Sequence, residues 1–218
     1  MKQSGMDDAG AAGRSSAADT RPALAAAPGG KASLLARLSA SRINAQLGLF
    51  FDVAVALLLL VIGLRVRHAS VPALLVFLAG LGLFTFVEYA FHRWLFHGAV
   101  ALFEQGHTRH HEQPQGHDAL PFFFPPLAML ALAGCAHLLV DAGDAYLLAA
   151  AIATGYALYG LSHSIIHARR FRSRNARRWA GAHHVHHYHP HTNFGVTTPF
   201  WDIVFGTRHV SRRRDGVA

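Results

Sequence analysis

The chain has 218 residues, of which 52% are hydrophobic and only 15% are charged. So apolar a composition excludes an ordinary soluble domain and predicts an integral membrane protein. The net charge of +8 does not indicate a nucleic-acid partner, because the basic residues flank apolar segments and are not interleaved with aromatic residues. The single cysteine, Cys135, excludes a disulfide framework.

The first 46 residues precede any segment that could cross a membrane. Residues 1–32 are small and polar, without apolar periodicity, and are predicted to be a disordered tail. In residues 33–46 the leucines recur at helical intervals beside Arg37 and Arg42. That pattern predicts an amphipathic helix lying on the membrane surface.

Four apolar windows follow, at about 47–64, 71–91, 121–140 and 145–163. Each is close to the 20 or so residues that a helix needs to cross a bilayer core about 30 Å thick. The sequence therefore predicts an all-α fold with four transmembrane helices. The membrane domain is expected to cover residues 47–208, followed by a basic C-terminal tail at 209–218.

The charge of the short connecting segments predicts which side of the membrane each of them faces. Residues 169–178, "RRFRSRNARR", carry six arginines after the last span, whereas the turn before that span carries only acidic residues. The arginine-rich side is predicted to be cytoplasmic, although Arg65 and Arg67 on the other side oppose the rule. Within the run, Arg172, Arg174 and Arg177 are candidate contacts for a redox partner or for lipid.

Histidines form four motifs that all fall on the predicted cytoplasmic side, where they are expected to line a helical cap. In the HxxHH motifs the side chains at i, i+3 and i+4 share one face of a helix, and the HSIIH pair is four residues apart. HRWLFH does not fit a straight helix, so either the helix ends or bends there, or its two histidines face different metals. The ten residues are His92, His97, His107, His110, His111, His163, His167, His183, His186 and His187.

A lone histidine is usually hydrogen-bonded in the core or solvated at the surface and does not bind a metal. We interpret His68, His137 and His209 in that way. Ten partly buried imidazoles at the end of an apolar bundle would be costly without partners, and neutral imidazole is the commonest metal ligand. Because ten nitrogens exceed what one ion can use, two metal ions are inferred. Imidazole suits zinc, copper, iron and nickel alike, and a non-catalytic metal transporter or store, or a haem-binding cytochrome, remain alternatives.

These motifs, followed by "NFGVTTPFWDIVFGT", resemble the fatty acid hydroxylase and sterol desaturase superfamily over residues 85–208. The stretch "GHTRHHEQPQGHDALPFFFPP" is most similar to the fatty acid 2-hydroxylase branch. The resemblance implies a non-haem dimetal enzyme, expected in the inner or plasma membrane if bacterial. The orientation predicted from charge places its active site on the cytoplasmic side. The enzyme would use O2 to hydroxylate a fatty acid or sphingolipid-like acyl chain. A carotenoid or sterol hydroxylase or desaturase is the alternative substrate class.

The resemblance further implies that the ten histidines are the ligands of two iron ions, for which zinc can substitute in purified protein. No cytochrome-like domain is recognised in the chain, so a separate ferredoxin or b-type cytochrome is expected to donate electrons. His184, His189 and His191 are extra imidazoles near the last motif that have no assigned role. Asp118 and Asp202 could orient ligating imidazoles by accepting their hydrogen bonds, although a helix cap or a solvated acid is the commoner role of such residues, and Tyr188 is a further candidate.

Overall fold

The computed structural model describes residues 34–98, 101–117 and 119–211. These residues form helices and loops without a strand, which confirms the predicted all-α class. The predicted N-terminal tail, most of the C-terminal tail and Asp118 lie outside the described residues. The helices are α1 (Leu34–Ser39), α2 (Arg42–Arg67), α3 (Val71–Ala90), α4 (Ala101–Glu112), α5 (Phe124–His137), α6 (Ala142–Ala168), α7 (Arg174–Tyr188) and α8 (Phe200–Val204).

Three helices in the described part of the chain are long and apolar enough to cross a membrane. They are α2, α6, and α3 together with the π-helical segment Phe91–Phe96 that continues it. The third predicted span, 121–140, forms the shorter helix α5, whose 14 residues rise only about 21 Å. Its Pro125 and Pro126 occupy the first turn, where the missing N–H is tolerated. The prediction of four spans is thus confirmed for three segments only.

The predicted surface helix at 33–46 is divided in two. Helix α1 ends at Ser39, and Ser41 caps the start of α2 because its hydroxyl accepts a hydrogen bond from the Asn44 N–H at 3.1 Å. The buried Asn44 side chain donates to the Leu120 carbonyl and accepts from the Phe122 N–H, each at 2.9 Å. These bonds attach the start of α2 to the segment that leads into α5.

Helix α6 lies at the centre of the bundle and packs against α2, α3 and α5. Small residues along α6 allow the close approach, as in many membrane helix pairs. A Cβ added to Gly80 of α3, for example, would lie 2.6 Å from the Cβ of Ala151. At one end of the bundle Arg67 of α2 forms an ion pair with Asp144 of α6 at 2.7 Å, so the histidine-bearing ends of the helices lie at the opposite end.

The outer faces of α2 and α3 are apolar and exposed. Phe50 is 65% exposed and Leu75 is 60% exposed, and many other large apolar side chains on these helices are similarly uncovered. Such extensive apolar exposure is unusual for a soluble monomer. It matches the surface that a bilayer would cover.

Candidate metal centre

The four histidine motifs, which are far apart in sequence, converge at one end of the bundle. Nine of the ten predicted ligands form two groups, within each of which the candidate ligand atoms lie within 4.8 Å of one another. The first group is His92, His97, His107, His111 and His186, and the second is His110, His167, His183 and His187.

His92 and His97 reach the same group because the helix between them is a π-helix. The His97 N–H bonds to the His92 carbonyl at 3.3 Å, which is the i to i+5 bond of that helix type. The wider turn brings residues five apart onto one side, and the two rings lie 5.3 Å apart and nearly stacked. The sequence had left open whether these two histidines face different metals, and the structure directs both to the first group.

The two HxxHH motifs lie on α4 and α7 as predicted, and each motif contributes to both groups. His107 and His111 of α4 belong to the first group, whereas His110 belongs to the second. In α7 the buried His186 belongs to the first group and the buried His183 to the second. The two groups are therefore adjacent and built on shared helices.

His163 is the predicted ligand outside the two groups, although it lies beside the second one. Its ring centroid is 4.4 Å from that of His110 and 4.9 Å from that of His183. His163 and His167 share a face of α6, as their spacing predicted, and their rings are 4.9 Å apart. His163 is thus within ring contact of the group that has only four members.

In the first group the ring nitrogens point at one another. The Nε2 atom of His107 lies 2.9 Å from that of His97, 3.0 Å from that of His111 and 3.2 Å from that of His92. A neutral imidazole carries one N–H, so a single hydrogen cannot satisfy three such contacts. A cation among these nitrogens would satisfy their lone pairs together.

The second group leaves buried ring nitrogens without partners. Nε2 of His183 lies 3.0 Å from Nε2 of His167 and 3.2 Å from Nε2 of His187. Nε2 of His110 and Nδ1 of both His183 and His187 are buried and form no hydrogen bond. Because buried polar atoms are normally paired, these residues fit a metal ion.

The electrostatic environment keeps the imidazoles neutral. Burial, with neighbouring imidazoles as the smaller cause, lowers the pKa of His97 to about 4 and that of His110 and His187 to about 3. Burial also lowers the pKa of His107 and of His183. At neutral pH these side chains are therefore unprotonated, which is the form that binds metals.

Residues 192–198, here called the orienting loop, hold two rings of the first group. The Nδ1–H of His92 donates to the Phe194 carbonyl, and the Nδ1–H of His186 donates to the Thr192 carbonyl at 2.7 Å. A carbonyl only accepts, so each ring carries its hydrogen on Nδ1 and presents Nε2 to the group. Asn193, with a φ of 55°, provides the left-handed turn between these two carbonyls.

Two buried carboxylates hold the orienting loop. Asp202, at the start of α8, accepts from the Phe194 and Gly195 N–H groups at 2.8 Å each. The sequence made Asp202 a candidate acceptor for an imidazole, with a helix cap or a solvated acid as the commoner alternative. In the structure it reaches His92 only through the main chain of Phe194. Glu88 of α3 accepts from the Val196 N–H at 2.6 Å and the Thr197 N–H at 2.8 Å.

Sequence reasoning missed Glu88. An acidic residue inside an apolar span is rare and marks a functional position by default, so the signal was present in the second window. The single acid in "GLFTFVEYAFH" could have been singled out on that ground. Its partners, which lie 108 and 109 residues away, had no sequence signal.

The remaining predicted site residues are exposed and lie outside the two groups. Tyr188 is 84% exposed at the end of α7, and the three named arginines are exposed at or just before its start. Of the extra imidazoles, His184 is exposed with its ring 5.6 Å from that of His167, and His189 stacks on His209 at 4.7 Å. His191 is also exposed.

Comparison with known proteins gives concordant results. The model of the fatty acid hydroxylase family matches residues 77–207. The chain is 31% identical over 134 residues to a dihydroceramide fatty acyl 2-hydroxylase of Arabidopsis thaliana, covering 56% of each protein. It is 29% identical over 145 residues to the fatty acid 2-hydroxylase of Homo sapiens, covering 60% of this chain and 38% of the human protein. The chain thus spans about half the length of these relatives.

A solved structure has the same fold. The hydroxylase domain visible in full-length scs7p superposes with a TM-score of 0.71 at 24% identity, covering 83% of this chain and 72% of the other.

Proposed function

Because the chain belongs to the fatty acid hydroxylase family, we propose that it is a membrane-bound oxygenase that hydroxylates carbon 2 of a lipid acyl chain. The names of its relatives, fatty acid 2-hydroxylase and dihydroceramide fatty acyl 2-hydroxylase, support this substrate class over sterols and carotenoids. The catalytic unit is assigned to residues 47–208.

The observation that carries the proposal is the pair of histidine groups at one end of an apolar bundle. Two iron ions held by these imidazoles, with His163 beside the second group, would supply the oxygen activation that insertion into an unactivated C–H bond needs. The overall reaction converts R–H, O2, two electrons and two protons into R–OH and H2O. Zinc binds such nitrogen ligands tightly and is expected to replace iron in some preparations.

The protein's own residues position the ligands and limit access by water. The orienting loop, held by Glu88 and Asp202, fixes the tautomers of His92 and His186. The ring of the buried Phe194 of the same loop lies within 5.8 Å of the rings of His92, His97 and His186 and covers one side of the first group. An apolar cover of this kind protects a reactive centre from solvent.

The bilayer is the proposed source of the acyl chain. Phe200, Ile203 and Val204 of α8 are more than half exposed, and α8 follows directly on the orienting loop. An apolar surface beside the centre allows an acyl chain to approach from the hydrocarbon region while its polar end stays at the interface. The arginine-rich connection after α6 favours a cytoplasmic location of the centre, where a separate electron donor would reach it.

The proposal is tested by analysis of lipids from cells that express the protein. Acyl chains released by hydrolysis should contain 2-hydroxy fatty acids in cells with the parent chain. They should be absent with His186→Ala, which removes a ligand that the orienting loop holds, and present with His137→Ala, which lies exposed at the end of α5. Equal amounts of 2-hydroxy acids in all three cultures and in the empty host would refute the proposed activity.

A further inference from the structure

The segment that enters α7 carries a dense positive surface. Six exposed arginines, here called the arginine patch, lie within ten residues. No acidic side chain in the described part of the chain forms an ion pair with any of them. The patch consists of Arg169, Arg170, Arg172, Arg174, Arg177 and Arg178.

The arginine patch is continuous with an opening onto the histidine groups. His184 is seven residues after Arg177, two turns further along the same face of α7, or about 10 Å. His184 and Tyr188 line a cavity of about 640 Å³ whose wall also includes His167 and His187 of the second group. A protein seated on the patch would therefore lie over the edge of the proposed metal centre.

The surface of the patch is not that of a helix inserted in a membrane. A membrane-surface helix places large apolar residues beside its basic ones. Between Arg169 and Tyr188 the one exposed large side chain with apolar character is Tyr188, which carries a hydroxyl and lies at the far end of α7, whereas α8 exposes Phe200 and Ile203 by more than half. The patch therefore favours a hydrated, negatively charged protein surface over the hydrocarbon edge of a bilayer.

We propose that the arginine patch is the docking surface for an acidic one-electron carrier protein, and that His184 is the point at which electrons enter. The inference rests on the proposed function, because the reaction needs two electrons for each product. Each carrier molecule gives up one electron and is itself oxidised, so two docking events supply one turnover, and the two protons come from water. His184 suits this role because its exposed ring is in contact with the ring of His167, a member of the second group.

The docking claim is tested by direct binding, without substrate. The probe is an acidic plant-type [2Fe–2S] ferredoxin, and the protein is held in phosphatidylcholine nanodiscs. The triple variant Arg172→Gln, Arg174→Gln, Arg177→Gln should weaken binding about tenfold and flatten its dependence on salt, because complementary charge governs such encounters. The matched control Arg37→Gln, Arg42→Gln, Arg65→Gln makes the same change in net charge elsewhere on the surface and should bind like the parent.

Equal binding by the two triple variants, whether both match the parent or both weaken, would overturn the docking site. A second set of nanodiscs containing phosphatidylglycerol tests the lipid alternative. If the patch variant differs from its control only in these anionic discs, the arginines contact lipid and the proposal fails.

The electron-entry claim is tested by the rate at which the metal-loaded protein oxidises reduced ferredoxin in stopped flow. His184→Gln should slow this oxidation at least several-fold while leaving ferredoxin affinity and metal content unchanged. An unchanged rate would refute entry at His184. If binding and electron transfer behave as expected but no hydroxylated lipid forms, the proposed function fails and the docking site stands.

Discussion

The Nδ1–H of His92 donates a hydrogen bond to the main-chain carbonyl of Phe194, 102 residues further along the chain. The bond joins the end of the second membrane helix to the orienting loop. It also fixes which nitrogen of His92 faces the other imidazoles of the first group. The position of the loop and the ligand geometry are therefore coupled, so residues that hold the loop should influence the metal centre without touching it.

Glu88 provides the first test of that coupling. Glu88→Ala removes both acceptor oxygens and leaves the Val196 and Thr197 N–H donors without a partner, at a cost of about 1–3 kcal/mol. We expect lower metal content and a lower melting temperature in detergent. Asp144→Ala is the control, because its partly exposed pair with Arg67 lies at the opposite end and contributes at most about 1 kcal/mol. Parent-like metal content in Glu88→Ala would show that the carboxylate does not position the loop.

Metal content should separate the two histidine groups. The Nε2 atom of His107 lies within 3.2 Å of three others in the first group, and that of His183 lies within 3.2 Å of two others in the second. His107→Ala and His183→Ala should therefore each lower the content from about two ions per chain to about one. Elemental analysis of purified protein measures this, with His137→Ala as the control. Two ions retained in both variants would contradict the assignment of the groups.

Local periodicity predicted much of the site, and long-range contacts determined the rest. The i, i+3 and i+4 spacing correctly predicted that His107, His110 and His111 share a helix face. It could not predict that adjacent members of the motif serve different groups, because that depends on where α7 packs. His92 and His97 reach the same group because the segment between them is a π-helix. The sequence showed only that their five-residue spacing does not fit a straight α-helix.

The fold was predicted to a similar degree. Apolar length predicted the three long helices, but the short α5 and the break at Ser41 follow from local features: prolines in a first turn and a capping hydroxyl. Apolar windows do not resolve such helix ends. The role of Glu88 could not be predicted from the sequence, because its hydrogen-bond partner lies more than 100 residues away.

The packing of α3 on α6 can be tested with two glycines of one helix. A Cβ at Gly80 would lie 2.6 Å from the Cβ of Ala151 and 3.2 Å from the Leu148 carbonyl oxygen, whereas one at Gly82 would meet no atom within 4 Å. Gly80→Ala should destabilise the protein by about 1–3 kcal/mol through overpacking. Gly82→Ala should be neutral or stabilising by up to about 1 kcal/mol, because alanine favours the helix. Thermal unfolding in the same detergent compares the two, and equal melting temperatures would contradict the close contact.

Isotope labelling of the product tests the central claim most directly. The purified, iron-loaded protein in nanodiscs is supplied with a lipid acyl substrate, a reduced electron carrier and 18O2, and the released fatty acids are analysed by mass spectrometry. A dimetal oxygenase built on the two histidine groups should place one 18O atom on carbon 2 of the acyl chain, and none when the label is supplied only as H2 18O. His186→Ala should give no labelled product. A hydroxyl oxygen derived from water, or labelled product at parent levels from His186→Ala, would contradict this account.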